Sequence, residues 1–180
     1  VESQDICFVP DGDHAKVIAR RLGSDTPALA RGPIVLADGT VVGEHSGYAR
    51  YTIGQRRGVP GGFPAPMYVV AIRPAERAVV IGPREALLGR GVVAREMNWL
   101  VDPMPLGSRV EVQVRHRAHA TPAEIVRNDS GEIELALEEP VSAITPGQSL
   151  VLYDGDRMLG GGFIERGGAA ARMLLPVAAA

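Results

Sequence analysis

Between Val92 and Gly160 the sequence repeatedly alternates apolar and polar residues over a short run and then breaks the run with turn residues. Val92-Val93-Ala94-Arg95-Glu96-Met97-Asn98-Trp99 is the first run, and Arg109-Val110-Glu111-Val112-Gln113-Val114-Arg115 alternates strictly. Ala123–Arg127 and Glu132–Leu137 flank Asn128-Asp129-Ser130-Gly131, and Ser149–Tyr153 and Arg157–Gly160 flank Asp154-Gly155-Asp156. A period of two puts apolar residues on one face of a strand and polar residues on the other. Six such runs, with turn chemistry between them and little helical periodicity, predict a small antiparallel barrel. Gly160-Gly161-Gly162 lies inside the last run, where consecutive glycines mark a close approach of backbones or a bulge.

The first half reads differently. Ala15–Leu22 has helical period, Asp13 is a suitable N-cap and Gly23 a suitable stop. Pro33–Leu36 and Thr40–Gly43 are joined by Asp38-Gly39, a hairpin signal. Met67–Ile72 and Ala78–Ile81 predict two strands around a turn at Arg73–Arg77, and Pro83–Leu88 predicts a short helix stopped by Gly89. The expected class is mixed α+β and mostly β. A small α+β domain spans residues 1–88, an antiparallel β-barrel spans 89–166, and a disordered Ala-rich tail spans 167–180.

With 46% apolar residues but only 4% aromatics, the core must come from Val, Ile, Leu and Ala. Nowhere do the roughly 18 consecutive apolar residues of a membrane helix occur, so no membrane partner is expected. A single cysteine and no targeting segment fit the cytoplasm. The net charge of −2 excludes a globally basic nucleic-acid binder, so any RNA contact needs a local patch. Arginines must make it, because Lys16 is the only lysine. For the same reason no Gly-x-x-x-x-Gly-Lys phosphate loop exists, and no Ser-Gly-Gly-x-Asp-Ser loop is present.

Cys7 has two readings. A free cysteine is commonly a small buried hydrophobe. Alternatively it is a nucleophile, which requires a lowered thiol pKa. Asp5, two residues away, opposes that lowering, so the activating charge must come from elsewhere. Ser3-Gln4-Asp5-Ile6-Cys7-Phe8-Val9-Pro10, followed by Asp11-Gly12-Asp13, resembles the segment that carries the second catalytic cysteine of bacterial tRNA-specific 2-thiouridylases. Further phrases are similar in the same order: Gly43-Glu44-His45-Ser46-Gly47, then Tyr51-Thr52-Ile53-Gly54-Gln55-Arg56-Arg57-Gly58. Ala143-Ile144-Thr145-Pro146-Gly147-Gln148-Ser149 and Tyr153-Asp154-Gly155-Asp156 with Leu159–Ile164 complete the series.

The resemblance covers the central and C-terminal domains of such an enzyme, and the chain, opening inside a motif at Val1, is expected to be a fragment. It implies a C-terminal barrel of the elongation-factor kind and a tRNA-uridine 2-sulfurtransferase activity. An ATP pyrophosphatase domain outside this chain would bind ATP and adenylate the wobble uridine at its C2 oxygen. Cys7 would carry the persulfide, with Asp5 in a supporting role, and would later pair in a disulfide with a cysteine of that other domain. A sulfur-carrier protein or cysteine desulfurase relay would supply the sulfur. Without its ATP-binding domain the fragment is expected to be inactive.

Arg56 and Arg57, with Arg50, Tyr51 and Gln55, offer forks and hydrogen-bonding groups suited to phosphates or base edges. His45 is either an acid–base group or a structural histidine. Arg115-His116-Arg117-Ala118-His119 is the densest positive patch. The resemblance implies that the segment of Arg56 and Arg57, candidate RNA contacts by their chemistry, lies near the active site, and it implies tRNA contacts at Arg115, Arg117, Ala118 and Gln148, although Ala118 and Ala120 depart from the bulkier residues usual there. No metal is expected: His116 and His119, three apart at a strand end, point to opposite faces, and no thiolate or carboxylate completes a set. The other reading of the whole is a noncatalytic RNA-binding barrel module in which Cys7 is core packing. An ordinary cysteine hydrolase would need a His base, and His14 and His45 carry no such signature.

Overall fold

The computed structural model describes residues 14–116 and 118–167. The expectations that fall on Asp5, Cys7, Asp13, Arg117 and the tail beyond Gly167 lie outside the described residues. The chain divides between Pro83 and Arg84 into two compact units.

The first unit opens with helix α1 (His14–Leu22), which buries Ala15 and places Arg20 and Arg21 in its last turn, where cations complement the helix dipole. The Gly23 N–H closes the helix on the Ala19 carbonyl at 2.9 Å. Four strands follow: β1 (Gly32–Val35), β2 (Val41–His45), β3 (Tyr68–Arg73) and β4 (Ala78–Gly82). They form one sheet in the order β2-β1-β4-β3, with β1 and β4 parallel and the other pairs antiparallel. In the β1–β2 hairpin an Asp38 carboxylate oxygen accepts the Thr40 N–H at 2.9 Å. That hydrogen bond holds the Asp38 carboxyl below the usual carboxylate range.

Every residue of β4 is buried, as suits a central strand covered on both faces. Ile34, Val69, Val79 and Ile81 cluster on one face, and Val35, Ala78 and Val80 on the other. Residues three apart in a regular strand face opposite ways, yet Val69 and Ile72 both join the first cluster. A register shift between Val69 and Ala71 accounts for this, because the extra residue returns Ile72 to the same side.

The second unit is a closed, fully antiparallel barrel. Its strands are β5 (Leu88–Trp99), β6 (Arg109–Gln113), β7 (Thr121–Asp129), β8 (Glu132–Ser142), β9 (Ser149–Asp154) and β10 (Arg157–Gly167). They run around the barrel in the order β10-β5-β8-β7-β6-β9 and close on β10. Alternate residues point inward, so Val110 and Val112, Ile133, Leu135 and Leu137, and Leu150 and Leu152 fill the interior. Closure leaves no strand edge to pair with another chain.

Several local expectations shift. Pro83–Leu88 makes only a 3-10 turn at Arg84–Leu87, and Gly89 lies within β5 instead of ending a helix. The β6 run stops at Gln113, two residues short of Arg115. At the β7–β8 connection the strands extend through Asp129 and Glu132, leaving a two-residue loop with Ser130 at φ 51° and Gly131 at φ 80°. Two successive positive φ values define a type I′ turn, whose twist matches that of the strands it joins.

The three glycines of β10 are where the barrel closes. A Cβ on Gly160 would lie 2.6 Å from the Asn98 carbonyl oxygen, and one on Gly161 would lie 2.7 Å from that of Leu150. One on Gly162 would lie 2.6 Å from the Arg95 carbonyl oxygen. Register shifts accompany them on both flanks, against β9 and against β5. Only residues without side chains let β5 and β9 approach this closely while the sheet bends to close.

Candidate nucleic-acid interface

His45, at the end of β2, is 4% exposed, and both of its ring nitrogens are engaged. Nδ1 accepts the Gly47 N–H at 3.0 Å, so the proton sits on Nε2, which donates to the Arg77 carbonyl at 2.9 Å. Of the two readings for His45, the geometry is that of a structural histidine holding the loop that begins at Ser46. Its ring also lies 5.7 Å from that of Tyr51, tilted by 56°.

From Tyr51 to Met67 no strand or helix forms, yet the backbone is fixed. The Gly54 N–H donates to the Val69 carbonyl at 2.8 Å, and the Val69 N–H returns to the Gln55 carbonyl at 2.9 Å. The Gln55 side chain accepts the Thr52 N–H at 3.0 Å and donates to the Arg57 carbonyl at 2.8 Å. Tyr51 donates its hydroxyl to the Gly58 carbonyl at 3.3 Å. Tyr51 and Gln55 therefore shape the loop. Arg56 and Arg57 ride on that loop, exposed, with no ion pair to a described residue.

In the barrel, Arg115 and Ala118 lie in the β6–β7 connection. Gln113 donates its side-chain amide to the Ala118 carbonyl at 2.6 Å, and the Ala118 N–H closes on the Arg115 carbonyl at 3.1 Å. This small clamp presents Arg115, His116 and His119 to solvent. Gln148 immediately precedes β9, and β9 runs antiparallel to β6 with Gln113 opposite Val151. The end of β6 and the start of β9 therefore lie at one end of the barrel, which brings Arg115, Ala118 and Gln148 to the same rim. The Gln148 main chain accepts the Ile164 N–H at 2.8 Å, while its side-chain oxygen is buried with no hydrogen-bond partner among the described residues.

Sequence reasoning overlooked Gln113, whose place in an alternating strand disguised it as one more outward polar residue. It also overlooked the Pro-rich stretch after Arg57, which walls a cavity of about 350 Å³ bounded by Arg56 and Val59–Met67. Three prolines and two adjacent glycines in eight residues were the available signal. Among the described residues no three His, Cys, Asp or Glu side chains gather as a metal site, and no helix is long and apolar enough to cross a membrane.

Residues 17–83 match the family described as the tRNA methyl transferase PRC-barrel domain, and residues 89–164 match the aminomethyltransferase beta-barrel domain. A tRNA-specific 2-thiouridylase of Dinoroseobacter shibae is 47% identical over 174 residues, covering 92% of this chain and 44% of the relative. That of Chlorobium chlorochromatii is 42% identical over 168 residues, covering 92% of this chain and 46% of the relative. That of Zymomonas mobilis is 44% identical over 165 residues, covering 91% and 42%. The chain thus spans a little under half the length of these curated relatives. It belongs to the tRNA-specific 2-thiouridylase family, and its two units carry that family's PRC-barrel and β-barrel domains.

Proposed function

We propose that this chain is the sulfur-transfer and RNA-binding part of a tRNA-uridine 2-sulfurtransferase. The observation that carries the reading is the match of both units, in order, to relatives that bear this name. The domain from 1 to 88 supplies Cys7, and the barrel from 89 to 166 supplies an RNA-facing rim with Arg115, Ala118 and Gln148, with Arg117 as a further RNA contact. Arg56 and Arg57 add phosphate contacts from the first domain.

The residues present do not fit ATP. Neither phosphate-loop pattern occurs in the sequence, so uridine activation belongs to an N-terminal ATP pyrophosphatase domain beyond this chain. What the chain contributes is a sulfur nucleophile. A persulfide on Cys7, charged by a sulfur-carrier or cysteine desulfurase relay, attacks the activated C2 of the wobble uridine. The new C–S bond forms as the activated oxygen leaves with its electron pair. A thiolate from the other domain then takes the S–S bond at Cys7, leaving the sulfur on the base and a disulfide between the two cysteines. Asp5 stands beside Cys7 in sequence as a supporting group.

The test is Cys7→Ser in the full-length protein. Loss of 2-thiouridine formation with tRNA affinity and melting temperature retained supports the reading. Unchanged thiolation overturns it, and a fall in stability with no effect on thiolation points to the noncatalytic module in which Cys7 is core. The isolated 180-residue chain should neither convert ATP to AMP nor thiolate tRNA.

A further inference from the structure

The cavity beside Arg56 is walled by a connecting segment whose construction is unusual for a loop. Structureless segments longer than about 12–15 residues inside a compact domain are ordinarily either functional or disordered. The Tyr51–Met67 segment is ordered by the Gln55, Tyr51 and Val69 hydrogen bonds already described. It is also pinned to the sheet. Val59, Phe63 and Met67 pack against the cluster of Ile34, Val69, Val79 and Ile81. Pro60 sits over Gly43, so closely that a Cβ there would lie 3.0 Å from the Pro60 ring. The cavity is therefore preformed, and binding does not have to order the loop first.

Its lining is chemically mixed. Its polar lining is Arg56 and the exposed backbone of Gly61 and Gly62, whose N–H groups donate to no described residue. Both could serve a phosphate, the guanidinium by a forked pair of hydrogen bonds and the amides as a small nest. Val59, Pro60, Pro64, Pro66 and Met67 also line it and offer apolar surface and no charge. Among the described residues no carboxylate lines the cavity. At about 350 Å³ it stands at the small end of ligand pockets, which run from about 300 to 1000 Å³. An anion joined to a flat, weakly polar body suits this mixture of cation, amide and apolar surface, and a base-paired duplex is too thick to enter.

Resting on the reading that the chain binds RNA, we propose that this cavity is a subsite for one unpaired nucleotide of the bound strand. Arg56 and the Gly61-Gly62 amides take its phosphate, and the proline faces take its base. A nucleotide held here is splayed from its neighbours, which is how proteins ordinarily read single-stranded RNA.

Two exposed residues allow a test that spares the core. Arg56→Ala removes the cation, and Ala65→Glu places a carboxylate among the lining residues. Binding of the 180-residue chain is measured by fluorescence anisotropy with a labelled single-stranded oligouridylate, a duplex of equal length and free uridine monophosphate. Melting curves establish that both variants remain folded. The expected result is about a tenfold loss of affinity for the single strand in each variant, with duplex affinity within about twofold of the parent. Equal losses for both RNAs, or no loss for either, overturn the subsite while leaving the RNA reading intact. Uridine monophosphate binding as tightly as the oligonucleotide would make this a free-nucleotide site and also overturn the proposal. If the parent chain binds neither RNA, the RNA reading itself fails, and the subsite with it.

Discussion

His45 and Arg77, 32 positions apart in sequence, are joined by a hydrogen bond of 2.9 Å from the imidazole Nε2 to the Arg77 carbonyl oxygen. The bond ties the end of β2 to the turn between β3 and β4, and so links the two hairpins of the sheet. Gly32 lies in the same place: a Cβ there would sit 2.0 Å from the Arg77 oxygen and 3.0 Å from the imidazole. His45→Phe fills a similar volume but leaves the Arg77 carbonyl and the Gly47 N–H without their partner. The expected cost is about 2–4 kcal/mol, read as a lower urea midpoint for the first unit. A cost within about 0.5 kcal/mol would show that neither group depends on the ring.

Gly161→Ala tests the closure of the barrel. The added methyl would meet the Leu150 carbonyl at 2.7 Å, and backbone on neighbouring strands cannot move aside as a side chain can. Destabilisation of about 1–3 kcal/mol is expected, appearing as faster unfolding if closure follows the transition state and as slower refolding if it precedes it. Retention of the parent melting temperature would mean that the seam is looser than its geometry.

Ser130→Gly should act in the opposite direction. Ser130 holds φ 51° at the first position of the β7–β8 turn, a conformation that costs an L-residue about 1 kcal/mol and glycine little. A gain of about 0.5–1 kcal/mol is expected by chemical denaturation. A loss would show that the Ser130 hydroxyl bond to the Asp129 carboxylate, 2.9 Å long, outweighs the backbone strain.

The arginines are best separated by salt. Arg57→Ala and Arg115→Ala should each weaken tRNA binding and reduce the slope of log affinity against log salt by about one unit per lost phosphate contact. Gln113→Ala should weaken binding without changing that slope, because it removes the clamp on Ala118 and not a charge. Affinity and slope unchanged in all three would identify these loops as plain solvated surface.

The sequence by itself determined the strands and the architecture of the second unit. Period-two alternation and turn residues such as Ser130-Gly131 and Gly155 are local signals, and six amphipathic strands hide their apolar faces here by curling round a shared interior. The hairpins of the first unit were legible for the same reason. Only the tertiary structure decided which polar side chains stay open to solvent and which hold the fold. Gln55 and Arg56 are neighbours with equally plausible chemistry, yet Gln55 bonds to Thr52 and Arg57 while Arg56 borders an open cavity. Likewise, Arg115 and Gln148 share a rim only because β6 and β9 pair around the barrel. A hydrogen-bonding side chain carries no mark of its eventual partner, because that partner arrives from a distant part of the chain once the apolar faces have closed.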